Sequence, residues 1–202
     1  MTFIDLVSPI INKKIGKIEE RDCHDQYVGK ISNFHSDQDD FLVRIPVVER
    51  PNRLNCLIMI LESPHIKEFL GDVGPAKGKT GSQIRKWIGD VEDLSQFCGY
   101  GLILVNAIQY QCSLGMLPEC FRDDVFRAVW SEWGENKFIT RLNEYYQDGD
   151  VVVNCCTKGK DNKNELRRMV HQTIEEANLN CTLLGRTHPS SWYKESNRKF
   201  TW

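Results

Sequence analysis

The chain has 202 residues, 41% of them hydrophobic and 27% charged, an ordinary composition for a soluble protein with one domain and a substantial core. Its 26 Lys and Arg are offset by 28 Asp and Glu, so it lacks the positive excess with which a protein wraps long stretches of nucleic acid; any nucleic-acid site must be local. The eight cysteines (Cys23, Cys56, Cys98, Cys112, Cys120, Cys155, Cys156 and Cys181) form no CxxC pair, and neither a secretory leader nor a membrane-spanning apolar run is visible, so the expectation is a reduced, cytoplasmic protein with no membrane partner.

In chain order, Phe3, Leu6, Val7, Ile10, Ile11, Ile15 and Ile18 recur near helical spacing, with Ser8-Pro9 expected to break or restart the helix. Residues 19–40 are polar and read as an irregular connector. Phe41 to Val48 carries Pro46 and suits an edge strand or extended arm, so that about the first 50 residues read as a helical extension. Leu57 to Leu61 is a continuous apolar run, the pattern of a strand covered on both faces, and Glu62-Ser63-Pro64-His65 ends it. A loop with Gly71, Gly74, Pro75, Gly78 and Gly81 follows, and Ile84, Trp87 and Ile88 then repeat at helical spacing.

Three more apolar runs, Gly101 to Val105, Val151 to Val153 and Cys181 to Leu184, are separated by stretches with helical periodicity: Val125 to Trp133, Phe138 to Tyr146, and Leu166 to Ala177. The alternation predicts an α/β domain of three layers, a central and mainly parallel four-stranded sheet between helices, filling residues 1–202 as one domain. In such sheets a ligand sits beyond the carboxyl ends of the strands, where Glu62, Asn106, Asn154 and the segment 185–192 would converge.

Taken together, LESPH, GPAKGKTG, ILVNAIQYQ and THPSSW resemble, in content and order, the blocks of the uracil-DNA glycosylase superfamily, over roughly Leu57 to Trp192. The resemblance implies that superfamily's fold, a DNA or nucleobase partner, and hydrolysis of an N-glycosidic bond without metal or other cofactor. Breaking that bond leaves positive charge on the sugar and negative charge on the departing base. On this reading His188 faces the base and stabilises its charge, or else fixes its own loop. Glu62 orients water or stabilises the sugar cation, or else caps a neighbouring loop. Ser63 stands where other branches carry Asp or Asn and positions water. Asn106 reads the base edge with its amide donor and acceptor, or satisfies backbone groups at a strand end.

Two departures from the family stand out. Ala76 takes the place of the aromatic residue that stacks on the flipped base in the thermophile-type branch, and the iron-sulfur cysteines of that branch are missing, since Cys112 and Cys120 alone cannot hold a cluster. His65 could replace the base contact, line the sugar pocket or cap the turn. The expected DNA rim consists of Lys77, Lys79, Arg85 and Lys86, then Lys158, Lys160 and Lys163, then Arg186, Lys194, Arg198 and Lys199, with Ser190 of the HPS block and Trp192 as a wedge or as packing under its own loop. His24, His35 and His171 are too dispersed for a metal site, and Cys155-Cys156 reads as core. The rival functions are a non-catalytic nucleic-acid or nucleotide binding module, favoured by Ala76 and Ser63, and a hydrolase of free nucleosides or nucleotides.

Overall fold

A computed structural model describes residues 1–11, 19–114, 121–161 and 165–202; Ile15, Ile18, Cys120 and Lys163 lie outside these segments. The strands are β1 (Gln26–Lys30), β2 (Ile45–Pro46), β3 (Cys56–Leu61), β4 (Gly101–Asn106), β5 (Val151–Asn154) and β6 (Thr182–Gly185), and they form one sheet in the order β2-β1-β4-β3-β5-β6. β4, β3, β5 and β6 run parallel, whereas β1 is antiparallel to β4 and β2 is antiparallel to β1. The sheet is therefore mixed and six-stranded, not four-stranded. The correction comes from the first 50 residues: within the expected connector, Gln26–Lys30 supplies a strand that covers the open side of β4.

The helices are α1 (Phe3–Ile11), α2 (Lys79–Trp87), α3 (Arg122–Val129), α4 (Glu135–Tyr145), α5 (Leu166–Glu176) and α6 (Glu195–Lys199). A wide turn over Trp130–Gly134 joins α3 to α4. Every residue of β3 and β4 is buried, because the two faces of the sheet are covered by different layers. Cys56, Ile58, Ile60, Ile103 and Val105 pack with side chains of α1, α3, α4 and α5. Leu57, Met59, Leu61, Leu102 and Leu104 pack with Ile84 of α2, with Val91, Leu94 and Trp192. The period of two within an unbroken apolar run thus feeds two cores.

The helix α1 continues through Pro9, contrary to the break expected there. Its buried stripe Phe3, Val7 and Ile11 needs the helical register, the Ser8 hydroxyl donates to the Ile4 carbonyl at 2.7 Å, and the carbonyl that Pro9 cannot serve belongs to exposed Asp5. Beneath the strands Asp150 accepts hydrogen bonds from the amides of Cys56 (2.7 Å) and Gln147 (3.0 Å) and from Arg50 (2.7 Å), which ties the starts of β3 and β5 together through a buried ion pair.

Candidate functional site

After β3 the chain goes to β4 on one side and then returns to β5 on the other, so the strand order reverses beside the carboxyl end of β3. An open α/β sheet leaves a crevice at such a point. Here it is a cleft of about 350 Å³, bounded by Glu62, Ser63 and His65 after β3, Ser113 after β4, Thr157 after β5 and His188 and Ser190 after β6, with Glu68, Lys77, Lys79 and Arg122 completing the wall.

Glu62 is buried at the centre. Its carboxylate lies 3.5 Å from Nε2 of His188 and 4.0 Å from the Arg122 guanidinium, and it accepts the Thr157 amide at 3.4 Å. Arg122 is held in turn by Asp123 at 2.8 Å, and Asp123 accepts the Lys160 amide at 2.6 Å. His188 heads a short turn in which its Nδ1 accepts the Ser190 amide (3.3 Å) and faces the Ser190 hydroxyl (2.8 Å). An amide can only donate, so the neutral ring carries its proton on Nε2, aimed at Glu62. Burial lowers the His188 pKa, opposed by Glu62 and reinforced by Arg122, so the imidazole is neutral at pH 7.

His65 shares the wall and caps the turn Ile66–Phe69 by accepting the Lys67 amide at Nδ1 (3.3 Å); burial lowers its pKa, and neighbouring Lys67 lowers it further. Ser63 reaches the buried thiol of Cys112. Asn154 is structural: its amide donates to Arg167 O at 2.9 Å and accepts the Cys156 amide at 3.0 Å.

Asn106 is fully buried and does not line the cleft. Its backbone amide donates to Asp25 (3.0 Å), which is ion-paired with Arg141, whereas neither atom of its side-chain amide makes a hydrogen bond of normal geometry. That amide lies close enough to Glu68 to favour the charged carboxylate, and Glu68 does face the cleft. Burial nevertheless pushes the Glu68 carboxyl up to about 8. On the wall itself, the Thr157 hydroxyl is a buried polar group without a hydrogen-bond partner.

Four expected contacts are placed elsewhere. Ala76 is fully buried, with its backbone in the left-handed region at φ 55°, and it is packed so closely on α2 that a Cβ at Gly81 would overlap its carbonyl oxygen; it does not face the cleft. Trp192 is fully buried in the α2-side core, its indole N–H donating to Thr187 O at 3.0 Å, so it is packing and not a wedge. Arg186 is also fully buried, ion-paired with Asp93 and donating to Thr201 at 2.8 Å, and is withdrawn from the rim. Lys158 pairs with Glu165 at 3.5 Å and stands outside the cleft wall. Lys77 and Lys79 remain on the wall. Lys77 bonds the carbonyls of Leu70 and Asp72, and Lys79 sits 4.7 Å over the half-exposed ring of Tyr193, the aromatic side chain that the surface presents in place of Trp192.

The sequence reading missed Glu68, Arg122 and Thr157. Glu68 and Thr157 carried a usable signal, since each follows a strand end by a few residues; Arg122 did not, because α3 brings it to Glu62 across sixty residues of chain. Among the described residues no group of three or more His, Cys, Asp or Glu could hold a metal ion, and no helix is long and apolar enough to cross a membrane. No family model, no curated protein and no solved structure matches the chain.

Proposed function

We propose that the cleft binds a nucleobase carried on a sugar and hydrolyses its N-glycosidic bond, on a scaffold of the uracil-DNA glycosylase type. The observation that carries this reading is the Glu62 carboxylate, buried between His188 and Arg122 at the carboxyl end of the central strand. The fold part of the proposal draws on the parallel order β4-β3-β5-β6 and on the position of the motif blocks at the ends of those strands.

In this reading Arg122 and the Thr157 amide hold and aim the Glu62 carboxylate. The carboxylate stabilises positive charge at the anomeric carbon and accepts the proton of the attacking water. His188, neutral and protonated on Nε2, faces the Glu62 carboxylate at 3.5 Å in the resting site and is within reach of developing negative charge on the base. Ser190 fixes that tautomer. A screen of base release from oligonucleotides containing uracil, hypoxanthine, xanthine or a thymine mismatch tests the reading: release by the wild type and loss by at least about 100-fold in Glu62→Gln and His188→Ala is expected. Undiminished release in both variants would remove it.

The burial of Arg186 and Trp192 favours a second reading, hydrolysis of free nucleosides or nucleotides, because it leaves the cleft with fewer phosphate and duplex contacts than a DNA rim needs. Preference for a free nucleoside over the same base in single-stranded DNA would select it.

A further inference from the structure

Glu68 has no role in the scheme above, yet it lines the same cleft. It projects from the turn Ile66–Phe69, is 4% exposed, and its backbone is tied at both ends, with its amide on His65 O at 2.8 Å and its carbonyl taking the Gly74 amide at 3.1 Å. The carboxyl itself is approached by the backbone amides of His65 and Ala76, by the Asn106 side chain and by the Cys23 thiol, 3.9 Å away. Among the described residues no ion pair reaches it. The charged groups around it are Glu62 from the end of β3 and, on the cleft wall, Lys67, Lys77 and Lys79. Behind it stands the Asn106 amide, fully buried, neither of its polar atoms making a hydrogen bond of normal geometry.

This setting differs from that of Glu62, which has Arg122 and His188 beside it. A buried carboxyl that no cation pairs with directly is held as the neutral acid, while two backbone N–H groups wait for the charge that appears once the proton leaves. Two carboxyls with environments pushed apart divide the work of acid and base.

Resting on the hydrolytic reading of this cleft, we propose that Glu68 is the catalytic acid that donates its proton to the departing base, with Asn106 as the positioning residue behind it. The C1′–N bond breaks with its electron pair passing to the base, and a ring nitrogen or carbonyl oxygen of the base takes the Glu68 proton. Water adds to C1′ and gives a proton to Glu62. Exchange with solvent then restores both carboxyls. The ligand class is a base that presents a lone-pair acceptor to the Glu68 side of the cleft.

The test compares wild type, Glu68→Gln, Glu68→Asp and Asn106→Leu in two measurements: the pH profile of single-turnover base release from whichever substrate the wild type processes, and calorimetric affinity for the corresponding free base. Glu68→Gln keeps the shape and a hydrogen-bond donor but cannot give up a proton. Expected are free-base affinity within about threefold of wild type, base release slower by about 100-fold or more, partial recovery in Glu68→Asp, and a wild-type rate that falls as pH rises above about 8. Asn106→Leu should move that alkaline limb to higher pH, as a purely structural role would not. Release at the wild-type rate by Glu68→Gln, or a flat wild-type profile to pH 9.5, overturns the proposal and leaves the Glu62 and His188 assignment standing. Should a variant fail to fold, the wild-type profile decides. Absence of base release by the wild type from every substrate overturns both.

Discussion

At the scale of single residues, burial separates side chains that their neighbours in sequence would group together. Glu62 and Glu68 lie six residues apart, but one is caged by Arg122 and His188 and the other by backbone amides and an uncharged amide side chain. The difference has a thermodynamic signature. The folded-state pKa of Glu68, about 8, exceeds the ordinary glutamate value of about 4.3, so between these pH values the folded protein binds the proton that the unfolded chain has lost. Its contribution is complete below the unfolded pKa and is lost as pH rises through the folded one, by up to about 1.4 kcal/mol per unit. Glu68→Gln should therefore gain stability relative to wild type from pH 5 to pH 8, measured by urea unfolding; a pH-independent difference would mean that Glu68 is ionised throughout. His188 acts in the opposite direction. Its lowered pKa makes the folded state bind fewer protons than the unfolded chain, so its contribution holds above about pH 6.5 and is lost as pH falls through the folded value. In His188→Gln the acid limb of the stability curve should be shallower. Ala76 yields a third prediction. A left-handed backbone and full burial leave no room for a ring, so Ala76→Phe should cost about 3 kcal/mol or more, whereas Ala76→Gly should be neutral or stabilising, both read from denaturant midpoints.

At the scale of elements, the strands that build the cleft are legible because their burial on both faces is written as unbroken apolar runs, and the helices because their stripes repeat. β1 was not legible. Its five residues, QYVGK, hold two β-formers between polar ends, and Gly29 at φ 104° accompanies a shift in register. Nor could periodicity show what the polar segment before β2 does. Arg44 donates to Gln26 at 2.9 Å and to Pro75 O at 3.0 Å, and Arg85 donates to Gln38 O at 2.8 Å and Asp39 O at 3.0 Å, so the segment clamps the Gly-rich loop onto α2. Trp192 and Arg186 were misread for a related reason: an aromatic and a cation near a loop look alike whether they face solvent or a neighbouring layer. The clamp makes Gly81→Ala a sharp probe. Its methyl group would push the Ala76 carbonyl and with it the whole loop, so a loss of melting temperature together with weaker ligand binding is expected. Unchanged melting would show that the loop yields freely.

At the scale of the whole molecule, several cations among the described residues are paired with carboxylates: Lys158 answers Glu165, Lys199 answers Glu195, and Arg186 answers Asp93. Among the described residues, the cations on the cleft wall are Lys67, Lys77, Lys79 and Arg122. Lys79→Ala should weaken an oligonucleotide ligand by a similar factor whatever its sequence and flatten the salt dependence, by a slope of about one at most; salt-independent affinity in the wild type would point to an uncharged ligand.

The two margins of the sheet carry a further consequence. β2 is two residues long and ends in Pro46, and on the far side β6 is followed by Arg186, which bridges to Thr201, while the Trp202 indole donates to Arg186 O at 2.8 Å. On the first side little free backbone is left to template a foreign strand, and on the second the chain just beyond β6 is covered by residues 201 and 202. Protection of this edge against pairing with another strand then rests on these few contacts and not on net charge, which is only −2. Combining Thr201→Pro with Trp202→Ala should leave the cleft chemistry intact yet drive the chain into concentration-dependent oligomers on size-exclusion chromatography, turning a well-behaved monolayer of strands into an adhesive one.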